Sequence, residues 1–321
     1  MSVLHCYCTV PVMKACIRTS NGPDFTDRHP QPANTPGKGY LLVKVHAAAI
    51  NPVDYKMPRM ILGPVMGLDF AGVVEAVHPE ETKFKVGDEV YGGSQGSMAE
   101  YTICKSTQVA HKPRDLSFEE AAALPIAYIT GLQALRDQGS LQQGDKVLVI
   151  GASGGCGIAG VHLAKALGAA EIVGVCSGKN KNMVLEQGAS KVVDYTAENL
   201  QDVFPQEYFD VVYDTATGSG KGEDYFSISE TLLKKSKKNV VINGGIWTWV
   251  SYFLGLQKEN RRLTAVDMNS ADLEALAHLY NTKQISPPVI FKTLKLDSEG
   301  VQEGFQILQS RRTVGKIVFR I

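Results

Sequence analysis

"VLVIGASGGCGIAGVHLAKALGA", Val147 to Ala169, decides how the rest of the chain is read. An apolar, β-branched run meets a knot of glycines and passes at once into a helical pattern. Gly151, Gly154 and Gly157 stand at G-x-x-G-x-x-G spacing, with Gly155 as an extra. A strand–glycine turn–helix unit lets backbone N–H groups approach a pyrophosphate, and the helix N-terminus favours its negative charge. No Gly-Lys-Ser/Thr closes the turn, which excludes a Walker-type loop and points to a dinucleotide.

From residue 117 onward strands and helices alternate. Strands are expected at Lys146–Ile150, Glu171–Cys176, Lys191–Asp194, Phe209–Asp214 and Asn239–Asn243, with helical patterns between them. Such alternation predicts a doubly wound parallel sheet. Ser117, followed by glutamates and "AAALPIAYITGLQAL", reads as a helix with a serine N-cap. Before it, "YLLVKVHAAAI", "FAGVVEAV" and "AEYTICKS" are strand-like, and "NGP", "PGKG", "VGDEVYGG" and "KPRD" punctuate them. The closing "PPVIFKTLKL", "SEGVQEGFQILQS" and "VGKIVFRI" read as strand, helix and strand. The last strand needs a partner, and the β-rich half supplies one. The expected division is residues 1–125, a β-rich domain; 126–270, the dinucleotide domain; and 271–321, a linker helix and return to the first domain, with a cleft between the two.

Composition narrows the partners. With 33 basic and 33 acidic side chains in 321 residues, the chain lacks the basic excess that nucleic acid or an anionic membrane rewards. The apolar run "GGIWTWVSYFLGL", Gly244 to Leu256, is shorter than the ~20 residues that span a bilayer, and reads as a pocket wall or core segment. Six scattered cysteines do not form a disulfide framework. A reducing, cytoplasmic setting is expected, with an organelle left open, and Cys6-Tyr7-Cys8 lacks the second pair that a metal site would need. Monomer and homodimer are both open.

The loop after the second strand, "VCSGKNKNM", chooses between cofactors. An NAD site carries an acid here for the ribose hydroxyl, yet none appears before Glu186. Ser177, Lys179 and Lys181 offer the hydroxyl and cationic donors that a 2′-phosphate needs, so NADP(H) is expected.

These motifs resemble the medium-chain dehydrogenase/reductases, in their zinc-independent quinone oxidoreductase branch. "AAAINPVDYK", "GPVMGLDFAGVVEAV", "KVGDEVYG", "AAALPIAYITGLQAL", "GASGGCG" and "VVDY" stand in family order over nearly the whole chain after Met13. "CSGKN", "WTW" and "VGKIVFRI" bring it nearest to chloroplast envelope quinone oxidoreductase homologues and NADPH-dependent enone reductases. The resemblance implies a GroES-like catalytic domain against a Rossmann domain. It implies Tyr195 and Ser177 at the 2′-phosphate, and Ser153, Gly155 and Cys156 along the pyrophosphate. It also implies Gly244 and Gly245 near the nicotinamide half, and Thr130 facing the cofactor. Thr215 departs from the asparagine that relatives often carry.

Where zinc members have Gly-His-Glu, this chain has Gly67-Leu68-Asp69, and no four-cysteine cluster exists for a structural zinc. No metal is expected. His46 and His162 read as surface or packing residues, and Cys156 as a small apolar filler, with a thiol activated by the helix N-terminus as the second reading. Without zinc, the accessible chemistry is hydride delivery to an enone, an oxylipin ketol or a quinone. Asn51 is a candidate donor to a carbonyl or to the cofactor; Lys56 reads as a cation that stabilises an enolate or gives it a proton, or else as a solvated strand-end lysine, with Tyr55 as the alternative donor; the resemblance puts tyrosine or lysine in the place of Lys56. Asp54 reads as a loop-ordering residue, and Trp247, Trp249, Tyr252 and Phe253 as an apolar wall or as core. The expected substrate is a small apolar carbonyl or quinone; the alternative is an NADPH-binding sensor with negligible turnover.

Overall fold

A computed structural model describes residues 11–321 apart from Pro58, residues 219–224, Gly245 and residues 257–258. Cys6, Cys8 and Gly245 therefore lie outside the described residues.

The N-terminal half is built on strands. β1 (Val12–Thr19) and β2 (Gly22–Pro30) form an antiparallel hairpin. β3 (Tyr40–Ile50) is the spine of a larger sheet, because its alanines and valines are buried along nearly its whole length. It pairs with β4 (Asp69–Val77), which pairs with β5 (Glu89–Gly93). β6 (Tyr101–Lys105) adds to β3, and β7 (Val109–His111) to β5.

The second half carries a six-stranded parallel sheet of β8 (Lys146–Ile150), β9 (Glu171–Cys176), β10 (Lys191–Asp194), β11 (Phe209–Asp214), β12 (Leu233–Val241) and β13 (Arg261–Leu263). Its order is β10-β9-β8-β11-β12-β13. The order reverses beside β8, so the switch point of this doubly wound sheet lies at the end of β8, where the glycine turn begins. Four of the five expected strands keep their bounds. β12 begins earlier, at Leu233, because its lysine-rich first half hides a pairing of Leu233 with Phe209.

Two further expectations need correction. The segment after Ser117 is not one helix: Phe118–Ala122 ends and a new helix runs Pro125–Leu132, because proline has no N–H to give and its ring would strike the preceding turn. Ser117 does cap the first piece, accepting from the Glu120 amide at 3.1 Å while Glu120 accepts from the Ser117 amide at 2.8 Å. Lys56 is not at a strand end; it closes the short helix Pro52–Lys56.

Finally β14 (Ile290–Lys295) and β15 (Lys316–Arg320) join the first sheet, in the order β14-β15-β3-β4-β5-β7. Ile317 pairs with Ile50. The helix Ser298–Ser310 between them packs Phe305 and Leu308 into the same core as Phe70 and Phe319.

The glycine helix Gly155–Ala166 lies so close to the parallel sheet that a Cβ on Gly160 would sit 2.5 Å from the Tyr213 ring. Gly160→Ala is expected to destabilise the protein by about 1–3 kcal/mol through overpacking, read as a fall in the urea midpoint at unchanged slope.

Candidate functional site

The turn between β8 and the glycine helix is closed on its inner side. Gly151 sits at φ 78°, where a side chain is strained, and a Cβ on Gly157 would lie 2.1 Å from the Gly151 carbonyl. The outer side is open, since a Cβ on Gly154 would meet only the Gly151 carbonyl oxygen, at 3.5 Å. The amides of Gly155, Cys156 and Gly157 are the first of the helix and have no intrahelical carbonyl to bond. This cradle fits a pyrophosphate.

The first, β-rich sheet reaches the turn through the start of β15. The Gly315 amide donates to the Ser153 carbonyl at 3.0 Å, and the Lys316 stem covers Gly155, whose added Cβ would lie 2.9 Å from Lys316 Cδ. Lys316 then carries its ammonium into the first sheet. Nζ donates to Asn51 Oδ1 at 2.5 Å and to Asp69 Oδ2 at 3.1 Å. Asn51 Nδ2 donates to that same Asp69 oxygen at 2.8 Å, and the Ile126 amide donates to Asp69 Oδ1 at 2.9 Å. Asn51, Asp69 and Lys316 are all buried. Lys316 and Asp69 form a buried pair that sequence reasoning missed. Asp69 was visible only as the residue after Leu68, and nothing local announces that a lysine 247 positions later meets it.

The helix Pro52–Lys56 begins at Asn51, whose amide donates to Asp54 Oδ2 at 2.7 Å. Asp54 orders this turn, in keeping with its sequence reading. Burial pushes its carboxyl up to about 7, the Asn51 amide works against that, and Asp69 reinforces it. Beyond it, Tyr55 is half-buried and Lys56 exposed. Desolvation, then the Arg311 guanidinium, holds the Lys56 ammonium below the ordinary lysine range, and desolvation raises the Tyr55 phenol. Arg311 is a neighbour that sequence reasoning missed; it ends the helix Ser298–Ser310 in a left-handed conformation, φ 62°.

The loop after β9 gathers Ser177, Lys179 and Lys181, with both lysines exposed. Tyr195 is exposed at the end of β10. Asn180 Nδ2 donates to Ser153 Oγ at 3.1 Å and to Ser177 Oγ at 3.4 Å, which ties this loop to the glycine turn. The expectation of no nearby acid holds along the sequence but not in space. Asp194 comes across from β10, and a Cβ on Gly178 would lie 2.2 Å from its Oδ2. Hydrogen bonds from Thr196, side chain first, and from the Gly178 amide keep Asp194 below the ordinary carboxylate range.

Thr130 is buried on the helix Pro125–Leu132. Gly244 is half-buried, and a Cβ there would strike Thr248 at 2.6 Å. Thr215 turns its hydroxyl to the Ile150 carbonyl at 2.7 Å, at the root of the glycine turn. The second reading of Cys156 is corrected: burial pushes its thiol up to about 11, against the pull of Lys316. His162 is buried between Tyr128 and Gln187, and His46 stacks on Phe118. The helix Ile246–Phe253 is not core throughout, because Trp247 and Phe253 are 78% and 77% exposed. Among the described residues no three His, Cys, Asp or Glu gather as a metal site, and no helix is long and apolar enough to cross a membrane.

A GroES-like sheet set against a dinucleotide-binding sheet, with a glycine cradle where they meet, defines a two-domain nucleotide-dependent dehydrogenase/reductase architecture. Residues 37–114 match the alcohol dehydrogenase GroES-like domain and residues 187–319 the zinc-binding dehydrogenase domain. The chain is 33% identical to 2-methylene-furan-3-one reductase of Solanum lycopersicum, over 87% of this chain and 71% of that one. It is 31% identical to NADPH-dependent alkenal/one oxidoreductase, chloroplastic, of Arabidopsis thaliana, with the same two coverages, 87% and 71%. The structure of the quinone oxidoreductase from Coxiella burnetii superposes with a TM-score of 0.82 at 27% identity, covering 97% of this chain and all of that one (100%). The chain belongs to the medium-chain dehydrogenase/reductase family, in its quinone and enone oxidoreductase branch.

Two predictions follow the buried charges. Asp54 has an ordinary carboxyl value of 3.8 when unfolded and about 7 when folded, so between those values the folded state holds a proton that the unfolded state has lost. Its contribution therefore falls as pH rises through that window. Asp54→Asn keeps an acceptor for the Asn51 amide; it is expected to gain on wild type by a few degrees in Tm at pH 8 and not below pH 4. Lys316→Met leaves the Asp69 carboxylate buried without its cation and is expected to cost on the order of 3–5 kcal/mol in urea unfolding, most of it recovered when Asp69→Asn is added.

Proposed function

We propose that this protein is an NADPH-dependent reductase of α,β-unsaturated ketones, oxylipin ketols or quinones that works without zinc. The observation that carries the reading is the convergence of the glycine cradle, through Lys316, on the Asn51–Lys56 segment. The relatives named alkenal/one oxidoreductase and furanone reductase support turnover over the sensor alternative. Leu68 stands beside Asp69 where a ligating histidine would be needed, which supports the zinc-free reading. The substrate would be small and apolar, and a reducing compartment suits it, whether cytoplasm or an organelle; a relative is named chloroplastic.

Bound NADPH supplies the hydride. The protein's part begins with the Gly155–Gly157 amides, which with Ser153 would hold the pyrophosphate. Ser177, Lys179, Lys181 and Tyr195 would receive the 2′-phosphate, and Thr130, Gly244 and Gly245 the nicotinamide half. Asn51 is fixed by Lys316 and Asp69 at the head of the helix that carries Lys56. Lys56 would stabilise the oxyanion that develops on a substrate carbonyl and return a proton to it, and its lowered pKa makes the ammonium the stronger acid. Tyr55, kept protonated by its raised pKa, is the alternative donor. The exposed Trp247 and Phe253 with Trp249 and Tyr252 would cover an apolar acceptor.

The test follows nicotinamide absorbance in chelator-treated protein with enones, ketols and quinones. NADPH is expected to be oxidised well ahead of NADH and without effect of chelation. Lys56→Ala is expected to lower kcat by about 10²-fold with NADPH binding retained. Binding without turnover on every acceptor would overturn the enzyme reading, and an unchanged kcat would remove Lys56 from the chemistry.

A further inference from the structure

We propose that Asn180 is a specificity-determining positioning residue, whose single amide nitrogen makes Ser153 and Ser177 hydrogen-bond donors toward the cofactor's pyrophosphate and 2′-phosphate. The inference rests on the NADPH reading above and deepens it. An asparagine Nδ2 has two hydrogens and no lone pair to offer, so whatever oxygen it meets must accept. Here it meets two, Ser153 Oγ at 3.1 Å on the glycine turn and Ser177 Oγ at 3.4 Å at the end of β9. Each serine hydroxyl has one proton and two acceptor sites. With an acceptor site taken by Asn180, each keeps its proton to give.

That polarity matters because of what surrounds the loop. Asp194 holds its charge below the ordinary carboxylate range against Gly178, and an anion brought here meets a carboxylate of its own sign. Asn180 meets both serines through Nδ2, the donor end of its amide, and it is itself half-buried at the start of the helix Lys181–Glu186. Lys179 and Lys181 supply charge from exposed positions, where screening by salt weakens them. Discrimination for the 2′-phosphate therefore falls on the short, oriented hydroxyl of Ser177, and the same amide couples it to Ser153 on the pyrophosphate turn.

The experiment measures binding rather than turnover. Calorimetry with 2′,5′-ADP and with 5′-ADP gives a ratio of dissociation constants that reports only the 2′-phosphate. In wild type 2′,5′-ADP is expected to bind more tightly. Asn180→Leu, neutral and of similar size, is expected to cut that ratio about fivefold to tenfold. Ser177→Ala is expected to cut it similarly, and adding Asn180→Leu to Ser177→Ala to change it no further. Asn180→Ala reads the same ratio if the leucine variant does not fold. An unchanged ratio in Asn180→Leu, or a full second loss on top of Ser177→Ala, would overturn the role of Asn180 alone. A wild type that does not favour 2′,5′-ADP would overturn the NADPH reading and this inference with it.

Discussion

One lysine holds the two halves of this protein in register. Lys316 leaves the Gly315 turn where that turn bonds to Ser153, lays its stem over Gly155, and delivers its ammonium to Asn51 and Asp69. A buried ammonium is tolerated only with its charge opposed and its hydrogens used, so its partners cannot move independently of it. The same Asp69 receives the Ile126 amide from the start of the helix that carries Thr130. Four separate stretches of chain thus share one carboxylate–ammonium pair at the edge of the glycine cradle.

The burial that fixes this pair also sorts the charges around it. Asp54 lies one helical turn from Asn51 but lacks a direct cation partner for Oδ1, so burial wins and its carboxyl rises toward neutrality. Lys56, on the same helix, is held below the ordinary lysine range by desolvation first and by the Arg311 guanidinium second. One short helix therefore carries an acid and a base that are both moved toward their neutral forms.

The glycine turn and its flanking strand and helix were legible in the sequence because each obeys a local rule: β-branched alternation, glycine where backbone must approach backbone, and helix formers afterwards. The Ser117 cap was legible for the same reason, whereas Pro125 broke a helix that its neighbours favoured. Asn51, Tyr55 and Lys56 could be singled out as chemical groups, but what controls them could not. Lys316, Asp69, Arg311 and Asp194 act through space, and their partners are set by sheet order rather than by spacing. The acid beside the 177–181 loop was hidden in the same way, since Asp194 arrives from the next strand rather than from the loop itself. Fold follows from periodicities that a chain displays locally; charge networks are settled only once strands have found their neighbours.

The position of β15 between β14 and β3 bears on how the molecule is made. The parallel sheet takes all its strands from one continuous stretch, Lys146 to Leu263, and can assemble as that stretch is synthesised. The first sheet cannot. Its inner strand β3 keeps an open edge at Ala47–Ile50 until residues 317–320 exist to close it. During translation that edge is an apolar, unpaired template, in a segment of alanine and isoleucine prone to pairing with other chains. A nascent chain that pauses before β15 therefore carries an unpaired strand edge that the finished fold conceals.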